Sequence, residues 1–349
     1  MPTLFDPLQL GDLTLPNRII MSPLTRCRAD AGRVPNALMA TYYAQRATAG
    51  LIIAEATSVC PMGVGYPDTP GLWSQEQVAG WKHVTSAVHK AGGRIFAQLW
   101  HVGRISAPLY LDGKTPEAPS AIKPAGHVSH VRPKQEYVTP RALETSEIPG
   151  IIEHYRKAAM NAQMAGFDGV EIHGANGYLL DQFLQDSSNI RTDEYGGSIE
   201  NRARLLLEVV DAAASVFGPE LVGMHLSPRC DAHDMGDSDP LASFSYVARE
   251  LREKGIAFIC AREHQGPDSI GPQLRKIFGG PYIANEGFTK ASAEAALAAG
   301  TADAVAWGQL FIANPDLVAR FAQDAPLNTP DHTTFYAAGA HGYTDYPTL

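Results

Sequence analysis

Eight short apolar or β-branched runs punctuate the chain: "NRIIMSP" (17–23), "LIIAEATS" (51–58), "RIFAQLW" (94–100), "GVEIHGA" (169–175), "LVGMHLSP" (221–228), "IAFICAR" (256–262), "PYIANEG" (281–287) and "AVAWGQL" (304–310). Most are nearly unbroken rather than alternating, as in strands covered on both faces of a parallel sheet. Between them the apolar spacing changes to three and four. Residues 152–166 end at Gly166, residues 198–218 run from a capping Ser198 with Glu200 in the first turn to Gly218, and residues 292–300 repeat the pattern. Strand–helix alternation repeated eight times predicts a (β/α)8 TIM barrel, a single domain over residues 1–349.

One stretch breaks the rhythm. Residues 101–150 hold seven of the 25 prolines and no long periodic run. Such a segment is too long for an ordinary connection, so it is read as a capping insertion after strand three. "GVGYPDTPGLW" (63–73) is a smaller loop of the same kind after strand two.

Composition narrows the partners. The net charge of −9 argues against nucleic acid and anionic membrane. Cys27, Cys60, Cys230 and Cys260 form no C-x-x-C pair, which removes zinc knuckles and iron–sulfur clusters and suits free thiols in a reducing compartment. The N-terminus lacks a basic stretch followed by an apolar one, and no run of about 18 apolar residues occurs, so a cytoplasmic protein is expected.

In a barrel the C-terminal strand ends form the active face. Strand one there delivers Pro23, Leu24 and Thr25; strand two Ala56 and Thr57; strand three Gln98 and Trp100; strand four His173, Asn176 and Tyr178; strand five His225, with Arg229 beyond. Strands seven and eight end in the glycine turns "NEGF" and "WGQL", where Gly287 and Gly308 would let backbone N–H groups approach a phosphate near a helix start. Gln98 offers a donor and an acceptor, as an imide edge requires. A phosphorylated cofactor bearing a flat ring fits this set.

At these residues the chain resembles the Old Yellow Enzyme family of FMN-dependent ene-reductases. "EIHGANGYLLDQFL" with "NIRTDEYGGSIENRARLLLEVV" carries the resemblance, and "NRIIMSPLTR", "QLWHVGRIS" and "FIANPDL" follow the family's order. Within the family the chain looks most like bacterial xenobiotic and nitrate-ester reductases. The resemblance implies non-covalent FMN, with NADPH or NADH as reductant. It places Thr25 near flavin O4 and N5, Gln98 at the O2/N3 edge and Ala56 in backbone contact. It makes His173 and Asn176 the binders of a substrate's carbonyl or nitro oxygen and Tyr178 the proton donor. Tyr66, Trp100 and Tyr343 would line the substrate side. The expected ligands are enones, nitro compounds and phenols, and the expected assembly is a monomer or weak homodimer.

Two positions depart from the family pattern. His225 stands where the family has an arginine facing flavin N1 and O2, and Gln309 where it has one gripping the phosphate. A histidine supplies positive charge only when protonated, and Arg229 is the alternative source. The runner-up reading is a metal-dependent barrel hydrolase using Asp231, His233, Asp234, Asp237 and Asp239 of "CDAHDMGDSD". A flavin-storing or ligand-sensing barrel is a third. No G-x-G-x-x-G follows a strand, so no separate nicotinamide domain is expected.

Overall fold

The computed structural model describes residues 1–349. Eight parallel strands close a barrel: β1 (Ile19–Met21), β2 (Leu51–Ile53), β3 (Ile95–Trp100), β4 (Gly169–Gly174), β5 (Val222–Leu226), β6 (Phe258–Arg262), β7 (Tyr282–Asn285) and β8 (Ala304–Trp307). Each pairs with its sequence neighbours, and β8 returns to β1. Helices follow in turn: α1 (Ala37–Ala44), α2 (Gln75–Lys90), α3 (Ile148–Met164), α4 (Ile199–Phe217), α5 (Pro240–Lys254), α6 (Gly271–Phe278), α7 (Lys290–Ala299) and α8 (Leu317–Ala322). The expected helix starting at 152 begins four residues earlier, because Pro149 fits a first turn whose N–H groups have no intrahelical partner. Ser198 caps α4 by accepting from the Asn201 N–H. No helix is long and apolar enough to cross a membrane.

Register decides what the barrel interior contains. Low in the barrel, Phe96 and Phe258 face each other with ring centroids 6.0 Å apart. Gly169 and Gly223, beside them in the ladders, make the room: a Cβ on either would lie 2.3 and 2.2 Å from a phenyl carbon. Leu8, Leu10 and Leu15 of an N-terminal hairpin join this lower apolar cluster. Two residues further along the strands the interior turns polar, with Gln98 beside Glu171 and His173 beside His225. A larger apolar cluster seals the strands against the helices. Apolar layers below and polar side chains above place the chemistry at one end.

Residues 101–147 form loops, short helical turns and a two-residue ladder pairing Glu117–Ala118 with Arg141–Ala142. Val128 and Tyr137 from this insertion pack with Trp100, Val102 and Ala56 at the barrel mouth, and Tyr66 and Tyr178 lie against the same cluster.

Candidate active site

The loop after β4 is held rigidly. Asn176 adopts a left-handed φ of 58°, and its N–H donates to Ser227 Oγ at 2.6 Å. Gly177 follows at φ 77° with its N–H on Asp181 Oδ2, and Gln182 Nε2 donates to its carbonyl. Two consecutive left-handed residues turn the chain sharply enough to bring Tyr178 back over the strand end. Its ring stands edge-on to His173 at 5.0 Å and to Trp100 at 5.1 Å. The Tyr178 and Tyr66 hydroxyls are 2.7 Å apart. Burial raises the Tyr178 phenol well above its usual range, so it keeps its proton at neutral pH.

Beneath this group lie two neutral imidazoles. His173 and His225 have ring centroids 5.2 Å apart. Burial drives the first well below the usual histidine range and the second down to about 3, with a lesser push from Arg262. Gln98 Nε2 donates to Glu171 Oε2 at 2.7 Å and faces His225 Nδ1 at 3.2 Å. Gln98 thus spends one amide proton on Glu171 and keeps its acceptor oxygen. Burial lifts Glu171 to about 8. Four buried polar atoms here lack partners within the chain: Trp100 Nε1, Glu171 Oε1, His173 Nδ1 and His225 Nε2.

Pro23, Leu24 and Thr25 are partly exposed at the end of β1, and Ala56 is buried beyond β2. Gly287 has φ 75° with open space where a side chain would be. Gly308 is packed by Leu24, whose Cδ2 would lie 3.0 Å from an added Cβ. Gln309 is exposed at the start of the short helix Gln309–Ala313.

The match of this geometry to known proteins is extensive. Residues 3–328 fit the family described as NADH:flavin oxidoreductase / NADH oxidase. Morphinone reductase, solved in complex with tetrahydroNAD, is 52% identical with a TM-score of 0.97, covering 100% of this chain and 98% of that one. An old yellow enzyme homologue from Zymomonas mobilis is 46% identical with the same TM-score over 100% of both chains. 12-Oxophytodienoate reductase 1 of Oryza sativa subsp. japonica is 46% identical over 99% of this chain and 93% of its own length.

The chain belongs to the Old Yellow Enzyme family. It is an NAD(P)H-dependent flavin oxidoreductase of the ene-reductase type, and FMN is its cofactor. The unpartnered Nε2 of His225, with the oxygen of Gln98, suits a flat ring bearing nitrogen and oxygen on its edge. The turn after β7 carries Glu286, whose carboxylate pairs with Arg262 and lies near His264.

Several expectations change on this structure. Tyr343 does not reach the mouth. Its ring is fully buried, stacked on Tyr42 at 4.1 Å, with Arg26 and Arg28 over its face. Arg26 and Arg28 also donate to carbonyls of residues 334–342, pinning the C-terminal segment so that Tyr336 faces the mouth instead. Tyr336 lies 4.2 Å from the His130 ring, which neighbours Tyr66. The matching aromatic pair in "FYAAGAHGY" was the available signal, and the choice between its members was not local.

Arg229 turns away from His225, donating to Glu263 Oε1 at 2.6 Å, to the His264 carbonyl and to Asp268. Burial pushes His225 down to about 3, which works against its supplying the missing charge. The acidic loop of the hydrolase reading has structural duties: Asp237 pairs with Arg202, Asp239 caps α5 and Asp234 accepts from the Ala125 N–H. No three ligand-type side chains gather there as a metal site. Arg262 is the residue that inspection of the strand ends missed, although it closes the "FICAR" run at the end of β6.

Proposed function

We propose that this enzyme reduces the activated C=C bond of α,β-unsaturated carbonyl compounds, and also accepts nitrate esters and nitroaromatics. The convergence of His173, Asn176 and Tyr178 carries the reading, since it sets two side chains able to donate beside a protonated phenol at one strand end. Relatives named as reductases of 12-oxophytodienoate and of morphinone support a conjugated ketone as the substrate class.

FMN, once reduced by NADPH or NADH, supplies the hydride that reaches the substrate's β-carbon. His173 and Asn176 donate hydrogen bonds to the carbonyl oxygen, where negative charge grows, so they favour the transition state over the ground state. Tyr178 delivers a proton to the α-carbon, and Tyr66 fixes the direction of its hydroxyl. Trp100, Tyr66 and Tyr336 wall the pocket. Thr25, Ala56, Gln98 and His225, with Pro23 and Leu24, would hold the ring of FMN, and Gly287, Gly308 and Gln309 would hold its phosphate. Nitro and nitrate oxygens meet the same donors without needing the Tyr178 proton.

Titration of the purified holoenzyme with 4-hydroxybenzaldehyde tests the oxygen-binding pair. A long-wavelength absorbance band is expected for the wild type, with His173→Ala weakening binding at least tenfold. Equal affinity in the two proteins would remove His173 from its assigned role.

A further inference from the structure

Asn176 is useful as a donor only if its amide nitrogen, not its oxygen, faces the substrate. Nothing in the backbone of its loop decides this, because the φ of 58° and the N–H bond to Ser227 Oγ fix the main chain and leave the side-chain amide free to turn over. The neighbour that decides it comes from another strand. Arg262 Nη1 donates to Asn176 Oδ1 at 3.0 Å. An arginine has donors and no acceptor, so only the amide oxygen is tolerated toward it. Asn176 Nδ2 donates to no group of the protein and is left for a ligand.

Arg262 would be a poor guide if it swung freely. Two of its nitrogens meet one carboxylate: Nε lies 2.9 Å from Glu286 Oε2, and Nη2 donates to Glu286 Oε1 at 3.2 Å. This fork-on-fork pairing fixes the guanidinium plane as well as its position. Glu286 is held in place at a cost, with a left-handed φ of 92° that a non-glycine residue rarely adopts. The Arg262 side chain is 38% exposed and that of Glu286 23%, so this pair stands at the open mouth rather than in the core. The chain of contacts therefore runs from β7 through β6 to the loop after β4, passing over β5.

We propose that Arg262, anchored by Glu286, is a positioning residue that sets the orientation of the Asn176 amide, presenting its nitrogen beside His173 to the substrate's oxygen. This rests on the proposed function of the same site. Arg262 acts through Asn176 and does not itself contact the reacting atoms.

A double-mutant cycle on the holoenzyme tests it, with 4-hydroxybenzaldehyde as the probe and its absorbance band as the readout. Arg262→Leu is expected to raise the dissociation constant about tenfold, the loss of one oriented hydrogen bond. In an Asn176→Ala background the same substitution should change it by less than about twofold. Glu286→Gln, which keeps the arginine but loosens its anchor, should weaken binding by a few-fold. Arg262→Lys, a single donor without the planar fork, should fall between wild type and Arg262→Leu, and it carries the cycle if the leucine variant loses its flavin. Unchanged affinity in the Arg262 variants, or an equal loss in both backgrounds, overturns the proposal. Unchanged affinity in Glu286→Gln overturns the anchoring role. Absence of any band in the wild type would instead defeat the proposed function itself.

Discussion

Replacing Tyr178 by phenylalanine isolates the proton-transfer step. The ring is held by its edge-on contacts with His173 and Trp100, at 5.0 and 5.1 Å, and phenylalanine keeps both. The hydroxyl has one protein partner, Tyr66, at 2.7 Å. Stability should therefore fall by about 0.5–1.5 kcal/mol, the worth of one hydrogen bond, too little to unfold the enzyme. The kinetic loss should be larger. A positioned general acid contributes about 10²–10⁴ in rate, or about 3–5 kcal/mol at ~1.36 kcal/mol per tenfold. Stopped-flow absorbance separates the two half-reactions. Reoxidation of the flavin by 2-cyclohexenone should slow by about that factor, while its reduction by NADPH stays within about twofold of wild type, because no proton passes to carbon in that step. A nitrate ester should be reduced at near wild-type rate. If both half-reactions slow together, the hydroxyl serves the pocket's shape; if neither slows, the proton comes from elsewhere.

Burial gives Glu171 a folded-state pKa of about 8 and Glu55 one of about 7, against 4.5 for an ordinary glutamate. The folded state then binds protons that the unfolded chain has released, so stability present below pH ~4.5 is lost as pH rises through 7 to 8. Glu171→Gln should flatten this alkaline decline in thermal unfolding between pH 6 and 9, and a curve parallel to wild type would show that Glu171 is ionised throughout. Tyr343→Phe should leave kcat and KM for the enone unchanged, since its buried hydroxyl has no partner and its ring faces Tyr42; a raised KM would return it to the mouth. Gly169→Ala would put a Cβ 2.3 Å from Phe96 Cζ and 2.5 Å from the Leu221 carbonyl oxygen. Overpacking of about 1–3 kcal/mol should lower the urea midpoint, and an unchanged midpoint would mean that the lower barrel is loosely packed.

The sequence alone determined the eight strands, their parallel order and the end of the barrel that carries the chemistry, because each rests on local periodicity and on the rule that active groups leave the C-terminal strand ends. It also determined the cluster of His173, Asn176 and Tyr178, which lie within six consecutive residues and share one short loop. What it left open depended on residues distant in the chain. Tyr343 and Tyr336 sit in one segment with similar surroundings, and only the grip of Arg26 and Arg28 on that segment decides which ring faces inward. His225 looked like a pH-dependent cation, but enclosure by the barrel disfavours its charged form. Arg262 and Asn176 are 86 positions apart and Glu286 a further 24 beyond Arg262. Hydrophobic periodicity reports which face of an element is buried. It carries nothing about which polar side chains from separate strands meet above that face, and barrel closure alone brings these three together.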